Sequence, residues 1–104
     1  MNLTSRFVKQ LRTIGHRLKP VIIIANGISD NINTEIDRAL GDHELIKIRV
    51  NTEDRYVKRA MVDEICARHK CELVQLTGNI ALIYRQARQP NPKLSNILRY
   101  KSLP

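Results

Sequence analysis

Residues 14–27 read Ile-Gly-His-Arg-Leu-Lys-Pro-Val-Ile-Ile-Ile-Ala-Asn-Gly, and the course of the chain is decided within them. Ile14 and Leu18 close an apolar series that begins with Leu3, Phe7 and Leu11, at steps of four, four, three and four. That spacing is one face of an α-helix with Thr4 placed as N-cap, and Arg6, Lys9, Arg12 and Arg17 fall off the stripe. The helix has to stop by Lys19, because Pro20 sterically disfavours helical angles in the residue before it. Val21 to Ile24 then form an unbroken β-branched run, the pattern of a strand buried on both faces in the centre of a parallel sheet. Ala25-Asn26-Gly27 leads out of it as a short loop.

Downstream, Ser29 can cap a second helix whose apolar positions are Ile32, Ile36, Ala39 and Leu40, with Gly41 at the expected exit and Asp30, Glu35 and Asp37 outside. Glu44 to Val50 alternates as a half-buried strand does, with Ile46, Ile48 and Val50 on one face and Leu45, Lys47 and Arg49 on the other. Thr52, with Glu53 and Asp54 behind it, predicts the start of a third helix with Val57, Met61 and Ile65 as its core stripe. Glu72–Leu76 and Ile80–Arg85 read as a hairpin around Thr77-Gly78-Asn79. The order is αβαβαββ, an α/β fold with a small mixed four-stranded sheet and three helices: parallel strands joined by helical crossovers, then one antiparallel pair. From Gln86 the text is polar and contains Pro90 and Pro92. Residues 1–86 are therefore expected to form the domain and 87–104 a flexible basic tail.

A chain of 104 residues that is 42% hydrophobic supports one domain with its own core, not a disordered basic arm. Four aromatics and no Trp make that core aliphatic. The net charge of +8 exceeds what solubility requires and implies a polyanionic partner. Its distribution is uneven: residues 1–19 and 85–104 each carry five basic groups and no carboxylate, while the middle is slightly acidic. The longest apolar run, Val21–Ala25, falls far short of the roughly 20 residues that span a bilayer, so a soluble, cytoplasmic protein with no membrane partner is expected. Cys66 and Cys71 read as free thiols of a reducing compartment.

Catalytic chemistry finds little support. Most carboxylates fall where helix capping and solvation account for them, and His16 and His43 have no serine or cysteine placed as a nucleophile. Cys66, His69 and Cys71 match no common zinc spacing, and two core thiols with a surface imidazole are expected instead; no metal or cofactor is implied. The Asn26-Gly27 loop fits two readings equally. It joins a strand to a helix N-terminus, where backbone N–H groups meet phosphates in open α/β sheets, and it is also what a plain turn with one positive φ looks like.

Several strings together resemble a known family. They are Ile14-Gly-His16-Arg-Leu18-Lys-Pro20 with the strand to Ile24, Glu35-Ile36 with Ala39-Leu40, His43-Glu-Leu-Ile-Lys47, Thr52-Glu-Asp-Arg55, Leu76-Thr-Gly78 and Leu82-Ile-Tyr84-Arg85. From about Leu3 to Arg85 the chain resembles the CRM domain, specifically the bacterial stand-alone YhbY-like proteins. The resemblance implies a layout similar to the C-terminal domain of a bacterial translation initiation factor, RNA as partner, and association with precursors of the large ribosomal subunit. The family's Gly-x-x-Gly loop is altered here: Gly27 stands for the second glycine, Ile24 is three residues before it, and the loop is one residue shorter. The expected RNA-binding residues are Arg12, Arg17, Lys19, Asn26, Gly27, Lys47, Arg49, Tyr84 and Arg85, acting in a monomer that recognises ribosomal RNA by backbone and shape, since stacking aromatics are scarce. The rival reading is a basic adaptor that binds acidic protein partners.

Overall fold

The N-terminal stripe forms α1, Ser5–Gly15, and Thr4 accepts the Phe7 N–H at 3.1 Å as its cap in a computed structural model that describes residues 3–100. The proline-led run forms β1, Pro20–Ile24, and Ser29 accepts the Ile32 N–H to cap α2, Asp30–His43. The alternating segment is β2, Leu45–Val50. Then come α3, Arg55–His69, β3, Glu72–Thr77, and β4, Ile80–Tyr84. Two boundaries differ from the sequence reading for local reasons. α2 runs past Gly41 because Glu44, with φ of 63°, ends it instead, and α3 is capped by Asp54, whose Oδ1 accepts the Tyr56 and Val57 N–H groups, two residues beyond Thr52.

The sheet order is β1-β2-β4-β3, with β1 parallel to β2 and the other pairs antiparallel. On one face, Ile22 and Ile24, Ile46, Ile48 and Val50, and Ala81 and Ile83 pack against Ile36 and Leu40 of α2 and Val62 and Ile65 of α3. On the other, Leu45, Val74, Leu82 and Tyr84 pack against Leu11 and Ile14 of α1. Gly15 sets how near α1 sits: a Cβ there would lie 2.6 Å from Leu82 Cδ2, inside any normal contact.

Two expectations are corrected. β1 is an edge strand, not a central one, and Val21 and Ile23 are more than half exposed, on the side of it that α1 does not reach. The segment after residue 86 is not a free tail as far as Tyr100. It crosses a loop holding both prolines and ends in a fourth helix, α4, Asn96–Tyr100, which packs on α1 and β2. Residues 101–104 of the predicted tail lie outside the described residues.

Candidate nucleic-acid interface

α1 covers only half of its face of the sheet. It runs out at Gly15, above Leu82, and the half beyond it is open. The register places Ile23, Arg49, Ile80 and Thr77 side by side across the four strands in this open half, and Lys47 stands beside Leu82 in the next row. Arg49 is exposed and Lys47 half-buried beside Ile80 and Leu82. A hollow of about 280 Å³ opens here, lined by His16, Lys47, Gln75, Thr77, Ile80 and Leu82.

Further cations rim this open half. Arg17 and Lys19, on the turn that follows α1, share a second groove of about 270 Å³ with Val21, His43, Arg99 and Tyr100, so the two basic ends of the chain meet in space. The ion pairs among the described residues are Arg38–Asp42, Arg59–Asp63 and Arg85–Asp37, and none of them involves Arg17, Lys19, Lys47, Arg49 or Arg99. Eight of the ten carboxylates belong to α2, α3 or the residues leading into α3, which is the opposite layer. Unneutralised cations gathered on one side give that side a positive potential that a polyanion meets at long range.

Asn26 and Gly27 are exposed at the end of β1. Gly27 has φ of +110° with open space around it, and Asn26 keeps an ordinary negative φ, so the loop needs one glycine only. The Asn51 N–H bonds Ile24 O at 2.9 Å and the Val50 N–H bonds Asn79 O at 2.7 Å, which brings this loop and the hairpin turn to the same end of the sheet. Arg12 is exposed on the last turn of α1, but its guanidinium leans towards Val74 O, at 3.5 Å, on the β3 side.

The profile of the CRS1/YhbY (CRM) domain matches residues 3–85. The chain belongs to the CRM family. A Pseudomonas aeruginosa protein named "Probable RNA-binding protein" is 46% identical to this CRM protein over 104 residues, covering 99% of this chain and all of the relative. A Haemophilus influenzae protein named "RNA-binding protein" is 32% identical, covering 88% of this chain and 94% of that one. The solution structure of a hypothetical Staphylococcus aureus protein, assigned there provisionally to RNA binding, superposes with a TM-score of 0.74 at 29% identity over 90% of this chain and 98% of that one.

Two residues expected at the interface are placed elsewhere in this CRM domain. Tyr84 is buried between sheet and α1, edge-on to Phe7 with ring centroids 5.4 Å apart, and burial, with the charge of Glu44 second, raises its hydroxyl pKa. It offers no face for a base to stack on. Arg85 donates to Asp37 Oδ1 at 2.9 Å, Asp37 O at 3.0 Å and His69 O at 3.3 Å, tying β4 to α2 and to the end of α3. Both lie at the end of β4 that pairs with Leu45, the far end from Asn26-Gly27. Sequence reasoning missed His16, Gln75, Thr77 and Arg99. For Arg99 the signal was Ser95 as an N-cap ahead of Ile97 and Leu98, a short helix start easily hidden behind two prolines.

His69 is buried, not at the surface, with Nε2 3.0 Å from Asn33 Oδ1, and desolvation lowers its pKa. Cys71 is buried and Cys66 half-buried, and both are free thiols. Their mutual hydrogen bond lowers the pKa of Cys66 and raises that of Cys71. No cluster of three or more His, Cys, Asp or Glu among the described residues is placed to hold a metal ion, and none of their helices is long and apolar enough to cross a membrane.

Proposed function

We propose that this CRM domain is a non-catalytic, cytoplasmic RNA-binding protein that associates as a monomer with precursors of the large ribosomal subunit and assists their assembly by contacting ribosomal RNA. The observation that carries the reading is the set of cations, Arg17, Lys19, Lys47 and Arg49, that have no carboxylate partner among the described residues and stand around an open half-sheet, with most of the carboxylates collected on the opposite layer. These cations would replace the counterions condensed along an RNA backbone, and the rigid spacing of Lys47 and Arg49 on one face of β2 would fix the register. Asn26 and Gly27 would bring backbone N–H groups to the same ligand at the end of β1. Recognition rests on backbone and shape, because Tyr84 is buried and Tyr56, the exposed tyrosine, stands at the start of α3 on the other layer. The names of the relatives support RNA as the ligand.

Titration of fluorescent ribosomal RNA fragments against salt tests the electrostatic part: if about six phosphates are neutralised, affinity falls by roughly three decades between 50 and 200 mM salt. A flat response sinks it. Sedimentation of cell extract through sucrose tests the ribosomal part, with the protein expected in large-subunit precursor fractions. Confinement to the top of the gradient refutes that part alone.

A further inference from the structure

We infer that residues 86–100, beyond the matched CRM domain, form an anchored strap that supplies a second phosphate-binding site, in which Arg99 acts with Arg17 and Lys19 on the backbone of a bound RNA. The inference rests on the RNA-binding reading above and extends it to a part of the chain that the family match, ending at residue 85, does not include.

The junction between α2 and β2 is shaped to hold this strap. Glu44 is 3% exposed and takes a φ of 63°, a conformation that residues with side chains seldom adopt, and its carboxylate is aimed entirely at the C-terminal segment. Oε2 accepts the Ala87 N–H at 2.8 Å and Oε1 accepts the Ser95 hydroxyl at 2.6 Å. Ser95 Oγ in turn accepts the Ile97 and Leu98 N–H groups and so starts α4. A buried carboxylate is costly unless hydrogen-bonded, and these bonds to Glu44 come from the strap. Two neighbours of Glu44 join in: the Asn96 side-chain amide donates to Leu45 O at 2.7 Å, and His43 Nδ1–H donates to Leu94 O at 2.9 Å. β1 begins only opposite Lys47, so Asn96 serves a carbonyl of β2 that lies beyond the last strand partner on that side.

The anchoring delivers Arg99 to the groove that Arg17 and Lys19 already line. Among the described residues no carboxylate lines that groove, and its three cations come from two places in the chain, Arg17 and Lys19 from the turn after α1 and Arg99 from α4. A concave site of about 270 Å³ lined by three cations suits a phosphodiester better than a flat patch does, because charge is offered from more than one side. The groove adjoins Val21 on β1, next to the open half-sheet, so one RNA strand would pass across both.

The test uses the full-length chain and a fluorescent ribosomal RNA fragment. Arg99→Glu changes an exposed residue and leaves the fold intact. It is expected to weaken binding about tenfold and to lower the salt slope by roughly 0.7 to 1, while Arg88→Glu, an exposed cation of the same strap outside the groove, changes affinity less than about twofold. Asn96→Ala, with its circular dichroism unchanged, is expected to lose affinity as Arg99→Glu does, because the strap no longer presents Arg99. Lys47→Glu reports separately on the RNA-binding reading. Wild-type binding by Arg99→Glu alongside lost binding by Lys47→Glu overturns the strap and leaves the half-sheet standing, whereas wild-type binding by both overturns the reading beneath it. Equal losses for Arg99→Glu and Arg88→Glu also overturn the strap, since they would show diffuse charge in place of a site.

Discussion

The two faces of β2 differ in every residue and in their fate. Ile46, Ile48 and Val50 point into a layer closed by α2 and α3 and are almost fully dry. Leu45, Lys47 and Arg49 point to the other side, where α1 covers Leu45 and stops short of the other two. One strand therefore holds the fold together with one set of side chains and exposes two cations with the other, at fixed spacing, because the period of two assigns alternate residues to opposite faces. The open face needs no mobility to display its charges. They are carried on one of the two interior strands of the sheet, paired on both edges.

The widest separation between the faces should appear in stability. Ile48→Ala empties part of the closed layer and is expected to cost about 2–5 kcal/mol by urea denaturation, whereas Lys47→Ala should stay within about 0.5 kcal/mol of wild type. Similar losses for both would show that the open face is also structural. In RNA binding the ranking reverses. The double variant Lys47→Ala/Arg49→Ala is expected to lose at least tenfold in affinity, about 1.4 kcal/mol or more, and roughly 1.5 from the log–log salt slope. Arg38→Ala, whose side chain is exposed on α2 beside Asp42, should bind as wild type does. An equal loss there would mean that net charge, not this face, is what RNA senses.

Much of this contrast was legible in the sequence. The alternation from Leu45 to Val50, the stripe of α1 and the hairpin at Gly78 are local patterns, and local patterns survive translation into structure. What escaped is non-local. Val21 and Ile23 belong to the same β-branched run as the buried Ile22 and Ile24, and nothing local reveals that α1 ends before covering them. Arg85 reads as a free cation until Asp37, 48 residues earlier, is folded against it. Glu44 reads as the first residue of an alternating strand, and its hydroxyl partner Ser95 is 51 residues away behind two prolines. Of the nine residues expected to meet RNA, Tyr84 and Arg85 were displaced by contacts of this long-range kind.

A smaller effect is expected where α1 ends. Gly15→Ala would drive a methyl group to 2.6 Å from Leu82 Cδ2, and Leu82 is buried, so α1 must lift or Leu82 must leave its rotamer. Overpacking of this kind costs about 1–3 kcal/mol, partly offset by up to about 1 kcal/mol of improved helix propensity. A fall in melting temperature is expected, accompanied by weaker RNA binding because His16, Arg17 and Lys19 move with the helix end. A stabilised variant with unchanged binding would show that the edge of the open half is not set by this contact.

The smallest predicted effect belongs to the closed layer alone and is a dependence on pH. His69 sits at the end of α3, bonded to Asn33 of α2, with desolvation holding its pKa below the ordinary imidazole value; Arg85 and Arg68 act in the same direction and Asp37 opposes them. A folded-state pKa below that of the unfolded chain means that the unfolded chain takes up the proton first as pH falls. Stability is therefore complete above about 6.5 and declines with acidification below it. Urea midpoints measured between pH 7.5 and 5.5 should fall in the wild type and fall less steeply in His69→Gln, where this imidazole no longer titrates. The difference between the two proteins isolates the contribution of His69 from that of the rest of the chain. Parallel curves would remove His69 as the cause and, with it, the distinction between a dry seam on this side of the sheet and a wet, charged surface on the other.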